Sequence, residues 1–217
     1  MSIPRETEVQ CPRCGKQIPS IIFKSVNTEF EENLREKILS GEFFSTQCPS
    51  CGFLAHLEYD VLYHDLDYGA MIWIVHEEND NYQAEVDRIR ANHMPIYETT
   101  RIVSNVKELC EKIYCLKACR DDRIIELSKI VLMNFVFKEY PDFIIRDTKY
   151  KYQNDSEIVT FYGVDGDIKS CFLQDEMYEH MVKLFGKYLD ECRAEPFQKI
   201  DYLWAKDMLQ RIPDEEI

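Results

Sequence analysis

Cys11-Pro12-Arg13-Cys14-Gly15 recurs as Cys48-Pro49-Ser50-Cys51-Gly52. Two residues between the cysteines of each pair let one tight turn aim both sulfurs at the same ion. Two such pairs make the ligand set of a closed tetrahedral metal site: Cys11, Cys14, Cys48 and Cys51. Proline after the first cysteine holds φ at about −65° and stiffens the turn. Glycine after the second can take positive φ, so the chain folds back and turns amides toward the thiolates. Those N–H···S bonds disperse the negative charge that four thiolates leave around a divalent ion. Zn²⁺ is the expected ion, and a rubredoxin-like iron site with the same ligands is the alternative. Met1-Ser2-Ile3-Pro4-Arg5-Glu6 lacks a basic-then-apolar export pattern. A cytoplasmic location is therefore expected, and disulfides are not.

Working outward from the knuckles, residues 7 to 76 read as a β-rich unit with one helix. Ile18 to Val26 is a strand candidate. Leu34 and Ile38, one turn apart and followed by Gly41, predict a short helix with a glycine stop. Phe43 to Gln47 leads into the second knuckle as a strand. Phe53, Ala55, Leu57, Tyr59, Val61 and Tyr63 then alternate on one face. Met71 to Val75 is a short buried final strand. The expectation is a zinc β-ribbon with a helical insertion between its knuckles.

The two Cys-Pro-x-Cys-Gly runs, Ser25-Val26-Asn27, the Leu34 to Gly41 helix and Leu62-Tyr63-His64-Asp65 together resemble the CpXC domain family, over about residues 8 to 76. The resemblance implies a zinc-binding domain. That family carries no established biochemical activity, so no reaction is implied.

Glu77-Glu78-Asn79-Asp80-Asn81 is polar and without periodicity, which predicts domains at 1–78 and 81–217. Beyond it, Ile102, Val106, Leu109, Ile113 and Leu116 form a helical stripe over Arg101 to Cys119. Asp121 or Asp122 caps a helix that runs to Tyr140, where Pro141 stops it; its apolar residues place it at the centre of the C-terminal core. Residues 142 to 173 have strand composition. Asn154-Asp155 marks a turn, and Ile158 to Tyr162 pairs with Ile168 to Leu173 across Val164-Asp165-Gly166-Asp167. Helices from Asp175 to Cys192 and from Phe197 to Arg211 complete the chain. The fold class is α+β: a zinc ribbon, then a mostly helical domain holding a β-hairpin or small antiparallel sheet.

Composition narrows the functions. The net charge is −14, from 26 basic and 40 acidic residues. That repels phosphates and argues against a nucleic-acid-binding or transcription-associated ribbon, which fold analogy alone would suggest. No apolar run is long enough to span a membrane. Phosphate-binding glycine loops and HExxH spacing are absent. His64 and Asp65 are the candidates for acid–base chemistry in an enzyme with an interdomain site. Neighbours on a strand point to opposite faces, however, and the plainer reading is a strand-to-turn junction with Asp65 bonding a local amide. Cys110, Cys115 and Cys119 on one helix invite a second thiolate site or redox pair. Buried cysteines acting as small hydrophobes explain them more simply, as they do Cys171 and Cys192. The expected function is a structural four-cysteine zinc protein serving protein interaction, self-association or regulation, with thiol redox sensing as a further option.

Overall fold

A computed structural model describes residues 2–31, 33–76, 82–91, 99–191 and 195–212. Helices and strands mix in several small sheets, an α+β fold. Two compact units make up the chain. One is Met1–Cys110 with Pro196–Gln198, and the other is Glu111–Glu195 with Lys199–Ile217.

In the first unit, β1 (Pro4–Gln10) and β2 (Gln17–Phe23) pair antiparallel from Pro4↔Phe23 to Gln10↔Gln17. The segment expected as one strand from Ile18 to Val26 breaks at Lys24. There β3 (Ser25–Asn27) leaves to join another sheet. Helix α1 (Leu34–Leu39) buries Leu34 and Ile38 and is followed by Gly41 at φ 80°, a left-handed position that favours glycine. Strands β4 (Ser45–Gln47) and β5 (Leu54–His56) pair antiparallel around the second knuckle.

The alternation from Phe53 to Tyr63 holds for burial but not for strand continuity. Ala55, Leu57, Val61 and Tyr63 are buried, yet β5 ends at His56 and β6 (Val61–Asp65) starts in a different sheet. Asp60, in the break, accepts the His76 amide at 2.9 Å. Strand β7 (Ala70–Ile74) is buried almost throughout, as the run Met71 to Val75 predicts. It is an interior strand rather than the last one, antiparallel to β6 and parallel to β8 (Thr99–Val103). Helix α2 (Tyr82–Ala91) lies between β7 and β8 in sequence.

Arg101 and Ile102, expected on a helix, are therefore in a strand. Thr99, Thr100, Ile102 and Val103 are β-branched and favour a pleated, buried surface. The helix start is set downstream. The Asn105 side chain accepts the Glu108 amide at 3.0 Å, and Glu108 reaches back to the Ser104 amide at 2.8 Å, a capping box that opens α3 (Val106–Lys117). The first compact unit thus extends past the boundary expected at residues 78–81, which lies outside the described residues.

In the second unit, Asp121 caps α4 (Asp122–Glu139), its carboxylate accepting the Arg123 amide at 2.9 Å. Only the first part of α4 is central. Ile124, Ile125, Leu127 and Leu132 are buried, whereas Phe135 and Phe137 are exposed. Strands β9 (Ile145–Gln153), β10 (Ser156–Gly163) and β11 (Ile168–Phe172) form an antiparallel sheet ordered β11-β10-β9. Asn154 and Asp155 both have positive φ, the two-residue turn whose twist suits a hairpin. Strands β10 and β11 pair as expected, in the register Ile158↔Phe172 to Tyr162↔Ile168. Helix α5 (Asp175–Glu191) buries Tyr178, Met181, Phe185 and Leu189. Its expected end at Cys192 lies outside the described residues.

The last helix starts later than Phe197. Phe197 is buried at φ 58°, Gln198–Lys199 form β12, and Asp201 caps α6 (Tyr202–Gln210) by accepting the Trp204 amide at 3.0 Å. Strand β12 edges the sheet ordered β12-β8-β7-β6-β3.

Candidate metal centre

Each knuckle closes a hairpin, and the two are built alike. Cys11 N donates to Lys16 O at 2.8 Å and Gly15 N to Cys11 O at 2.9 Å; Cys48 N donates to Phe53 O at 2.8 Å and Gly52 N to Cys48 O at 2.9 Å. Gly15 and Gly52 take φ of 72° and 70°, the positive values the turn requires. A glutamine precedes each knuckle, and both side chains do the same work. Gln10 Nε2 donates to Gly15 O and Gln47 Nε2 to Gly52 O, each at 3.3 Å. Gln–Cys–Pro–x–Cys–Gly is thus the longer repeat, legible in the sequence once both copies are aligned.

The hairpins bring four sulfurs together. The Sγ atoms of Cys11, Cys14, Cys48 and Cys51 all lie within 4.8 Å of one another. Cys11 to Cys51 and Cys14 to Cys48 are each 3.7 Å. Tetrahedral Zn–S bonds of about 2.3 Å place sulfurs about 3.8 Å apart, so the spacing fits such an ion. Cys11 and Cys48 are buried against Ile18 and Ala55, with Phe53 packed alongside, while Cys14 is exposed.

The thiols also show why a cation suits them. Burial opposes ionisation of Cys48, but the Ser50 and Cys51 amides and the neighbouring thiols outweigh it and push its pKa down to about 6. At Cys51 the Phe53 amide favours the thiolate, yet burial and the thiols of Cys14, Cys48 and Cys11 together push it up to about 12. One thiolate forms readily and the next is disfavoured. A bound divalent ion removes that conflict.

The other candidates fare differently. Asp65 is fully buried, on the β6 face it shares with Val61 and Tyr63, whereas Leu62 and His64 alternate to the other face. Arg35 grips its carboxylate with two bonds of 2.6 Å, and the Tyr63 hydroxyl donates to it at 2.6 Å. The Tyr68 amide adds a local bond at 3.3 Å. Burial would raise the Asp65 pKa, but the Arg35 and Tyr63 bonds overcome it and hold the group below the usual carboxylate range. Burial keeps the His64 imidazole below its ordinary value. The pair named for acid–base catalysis is therefore not assembled, and Asp65 is an anchor between α1 and β6.

Cys115 is buried and its pKa is raised well above the ordinary value, chiefly by burial. Cys119 is exposed at φ 53°, just beyond α3. Cys110 donates to Ile38 O and Cys171 to Val159 O. Among the described residues, no second group of three or more His, Cys, Asp or Glu is placed to hold a metal ion. Cys192 and His93 lie outside the described residues; His56 and His180 are exposed.

The sequence pattern alone does not reveal the charges that meet inside the second unit. Lys112, Asp122, Glu126 and Lys129 form a buried ionic cluster in the second unit, joined by the partly buried Glu111. Lys112 Nζ lies 2.9 Å from Asp122, 3.8 Å from Glu126, and donates to Ile200 O at 2.7 Å. Lys129 Nζ lies 2.8 Å from Glu111 and 2.9 Å from Glu126. Glu111 also accepts the Tyr150 amide.

Two hairpin knuckles presenting four thiols within 4.8 Å of one another define a class of protein that could hold a metal ion through cysteine. Within that class the CpXC protein family matches residues 9–129, more than half of the chain, and the chain belongs to that family. The match runs past residue 76, through β8 and α3 and into α4. No curated protein and no solved structure matches the sequence.

Proposed function

We propose that this chain is a zinc protein in which Cys11, Cys14, Cys48 and Cys51 hold one structural Zn²⁺, and that it acts as a protein-interaction module in the cytoplasm. The observation that carries the proposal is the clustering of all four sulfurs within 4.8 Å at the tips of two matching hairpins. An all-thiolate tetrahedral set accepts zinc or iron alike; zinc is proposed because paired Cys-x-x-Cys turns are the usual ligand pattern of closed structural zinc sites. With four protein ligands no coordination position stays open for an activated water, which supports a scaffold rather than a reaction centre. The β1–β2 and β4–β5 hairpins are then a zinc ribbon, with α1 inserted between its knuckles. The charge of −14 supports a protein partner over nucleic acid.

Metal analysis of the purified protein tests this. One equivalent of zinc per chain is expected, falling steeply in Cys48→Ser. A Cys48→Ser protein that retains zinc and full stability would sink the assignment. A full equivalent of iron would replace the ion while leaving the ligands in place.

A further inference from the structure

The four thiols of the metal centre are unequally placed. Cys11 and Cys48 are buried, Cys51 is half-buried and Cys14 is exposed. The inner pair shares a small apolar cluster with Ile18 of β2 and Ala55 of β5, so an oxidant arriving from water meets Cys14 first. Two sulfur contacts of 3.7 Å run between the knuckles, Cys14 to Cys48 and Cys11 to Cys51. The partners are 34 and 40 positions apart in sequence, and each thiol belongs to one contact.

We propose that Cys14 is an oxidation site for hydroperoxides and that Cys48, across the knuckles, is the thiol that resolves it. Oxidation then exchanges the bound ion for a disulfide between the hairpins. The proposal rests on the reading of these cysteines as zinc ligands. The Cys14 thiolate attacks one oxygen of the hydroperoxide. An S–O bond forms, the O–O bond breaks, and the other oxygen leaves as hydroxide or alkoxide and takes up a proton. The Cys48 thiolate next attacks the Cys14 sulfur. An S–S bond forms, the S–O bond breaks, and hydroxide leaves to become water. Two thiolates have then given two electrons to one hydroperoxide. The sulfurs need only close from 3.7 Å to about 2.05 Å.

Half of the ligand set is thereby spent, and the remaining thiols no longer close a four-coordinate site, so the ion is released. A second hydroperoxide joins Cys11 to Cys51 by the same chemistry. Each of these bridges ties the β1–β2 hairpin to the β4–β5 hairpin. The oxidised protein therefore keeps its hairpins together without an ion, because the crosslinks restrict the unfolded chain. Bridges within the knuckles would close only the turns and leave the hairpins unlinked.

The test treats the full chain, its zinc measured beforehand, with hydrogen peroxide. Equimolar peroxide should release most of the zinc to a colorimetric chelator, and dithiothreitol should restore binding. Peptide mapping without reduction should find Cys14 joined to Cys48. Cys14→His and Cys11→His both keep a possible ligand set, since closed sites also take three cysteines and a histidine. Release should slow at least about tenfold in Cys14→His and stay within about twofold of wild type in Cys11→His. Cys119 is exposed as well, and Cys119→Ser should release zinc like wild type. Oxidised, zinc-free protein should keep amide-exchange protection in both hairpins, which chelator-stripped reduced protein should lose. A bridge from Cys11 to Cys14 overturns the proposal. So does release at the wild-type rate from Cys14→His, or zinc retained through excess peroxide with no bridge formed. If a histidine variant fails to hold zinc, the wild-type map decides alone. A chain purified without zinc sinks the metal assignment separately, and its map still decides whether Cys14 pairs with Cys48.

Discussion

Each unit gathers acidic groups in one place, partly buried in the first and largely buried in the second, and the two units offer different ways to neutralise them. In the first, four thiols converge and their mutual repulsion is relieved, in the proposed site, by an ion from solution. In the second, Glu111, Asp122 and Glu126 converge and the cations are the chain's own Lys112 and Lys129. With the proposed ion, folding of the knuckles depends on an external ligand, whereas that of the ionic cluster depends on packing. The comparison also exposes a mismatch: three carboxylates share two ammonium groups.

Metal removal should give the largest effect. Structural zinc in small sites contributes an apparent ~10 kcal/mol or more at neutral pH. A strong chelator is expected to abolish amide-exchange protection in β1, β2, β4 and β5 while the β9–β11 ladder keeps its own. Full protection of the knuckle hairpins after verified metal loss would break the contrast, because the thiol cluster would then be self-sufficient. Next comes Lys129→Met, which strands Glu111 and Glu126 with one cation fewer. Breaking a buried pair in this way costs about 3–5 kcal/mol, read as a fall in urea midpoint at unchanged slope. A midpoint within error of wild type would mean that the lysine is not holding the cluster.

These two sites differed as much in legibility as in chemistry. The cysteine ligands stand out because metal spacing is local: two residues within each pair and a glycine after it, with the flanking glutamines as a confirming repeat. The ionic cluster is spread over α3 and α4. Glu111 and Lys112 sit beside the apolar Ile113, and Glu126 and Lys129 interrupt a run dominated by Ile and Leu. Charged residues in such a stripe read as the solvated face, and only the packing shows them to be inside. The strand at Thr99–Val103 was missed for a related reason. Ile102 lies at helical spacing from Val106, and the Asn105–Glu108 box that resets the start is a short polar signal inside a longer apolar one. The β10–β11 hairpin and the α4 cap were legible because turn and cap residues act on their immediate neighbours.

Asp65 gives a smaller effect that sharpens the contrast within the first unit, since its charge, unlike that of the thiols, is met by the chain itself. Asp65→Asn leaves Arg35 without its buried partner and should cost about 2 kcal/mol at neutral pH. The folded-state pKa of Asp65 is depressed, so its contribution is fully present above the ordinary aspartate value. It is lost as pH falls through the lower folded value. The stability gap between wild type and variant should be flat from about pH 5 to 7 and close below about pH 4. A gap that stays constant into acid would show that the carboxylate charge is not what Arg35 binds.

Glu111→Gln should have the smallest effect, and its sign decides how the mismatch is resolved. Burial raises the Glu111 pKa and the nearby Glu126 adds to it, against the pull of Lys129. A carboxyl with a raised folded pKa binds its proton more tightly in the native state. Wild type therefore loses stability as pH climbs from the ordinary glutamate value, about 4.3, through the folded value. Glutamine keeps an acceptor oxygen for the Tyr150 amide and leaves two carboxylates for two lysines. The substitution is expected to change stability by less than about 1 kcal/mol at neutral pH. The difference should move in the variant's favour as pH is raised, in paired denaturant titrations. If the variant instead loses ground with rising pH, Glu111 is held as a full anion by Lys129, and the surplus negative charge must be carried elsewhere in the cluster.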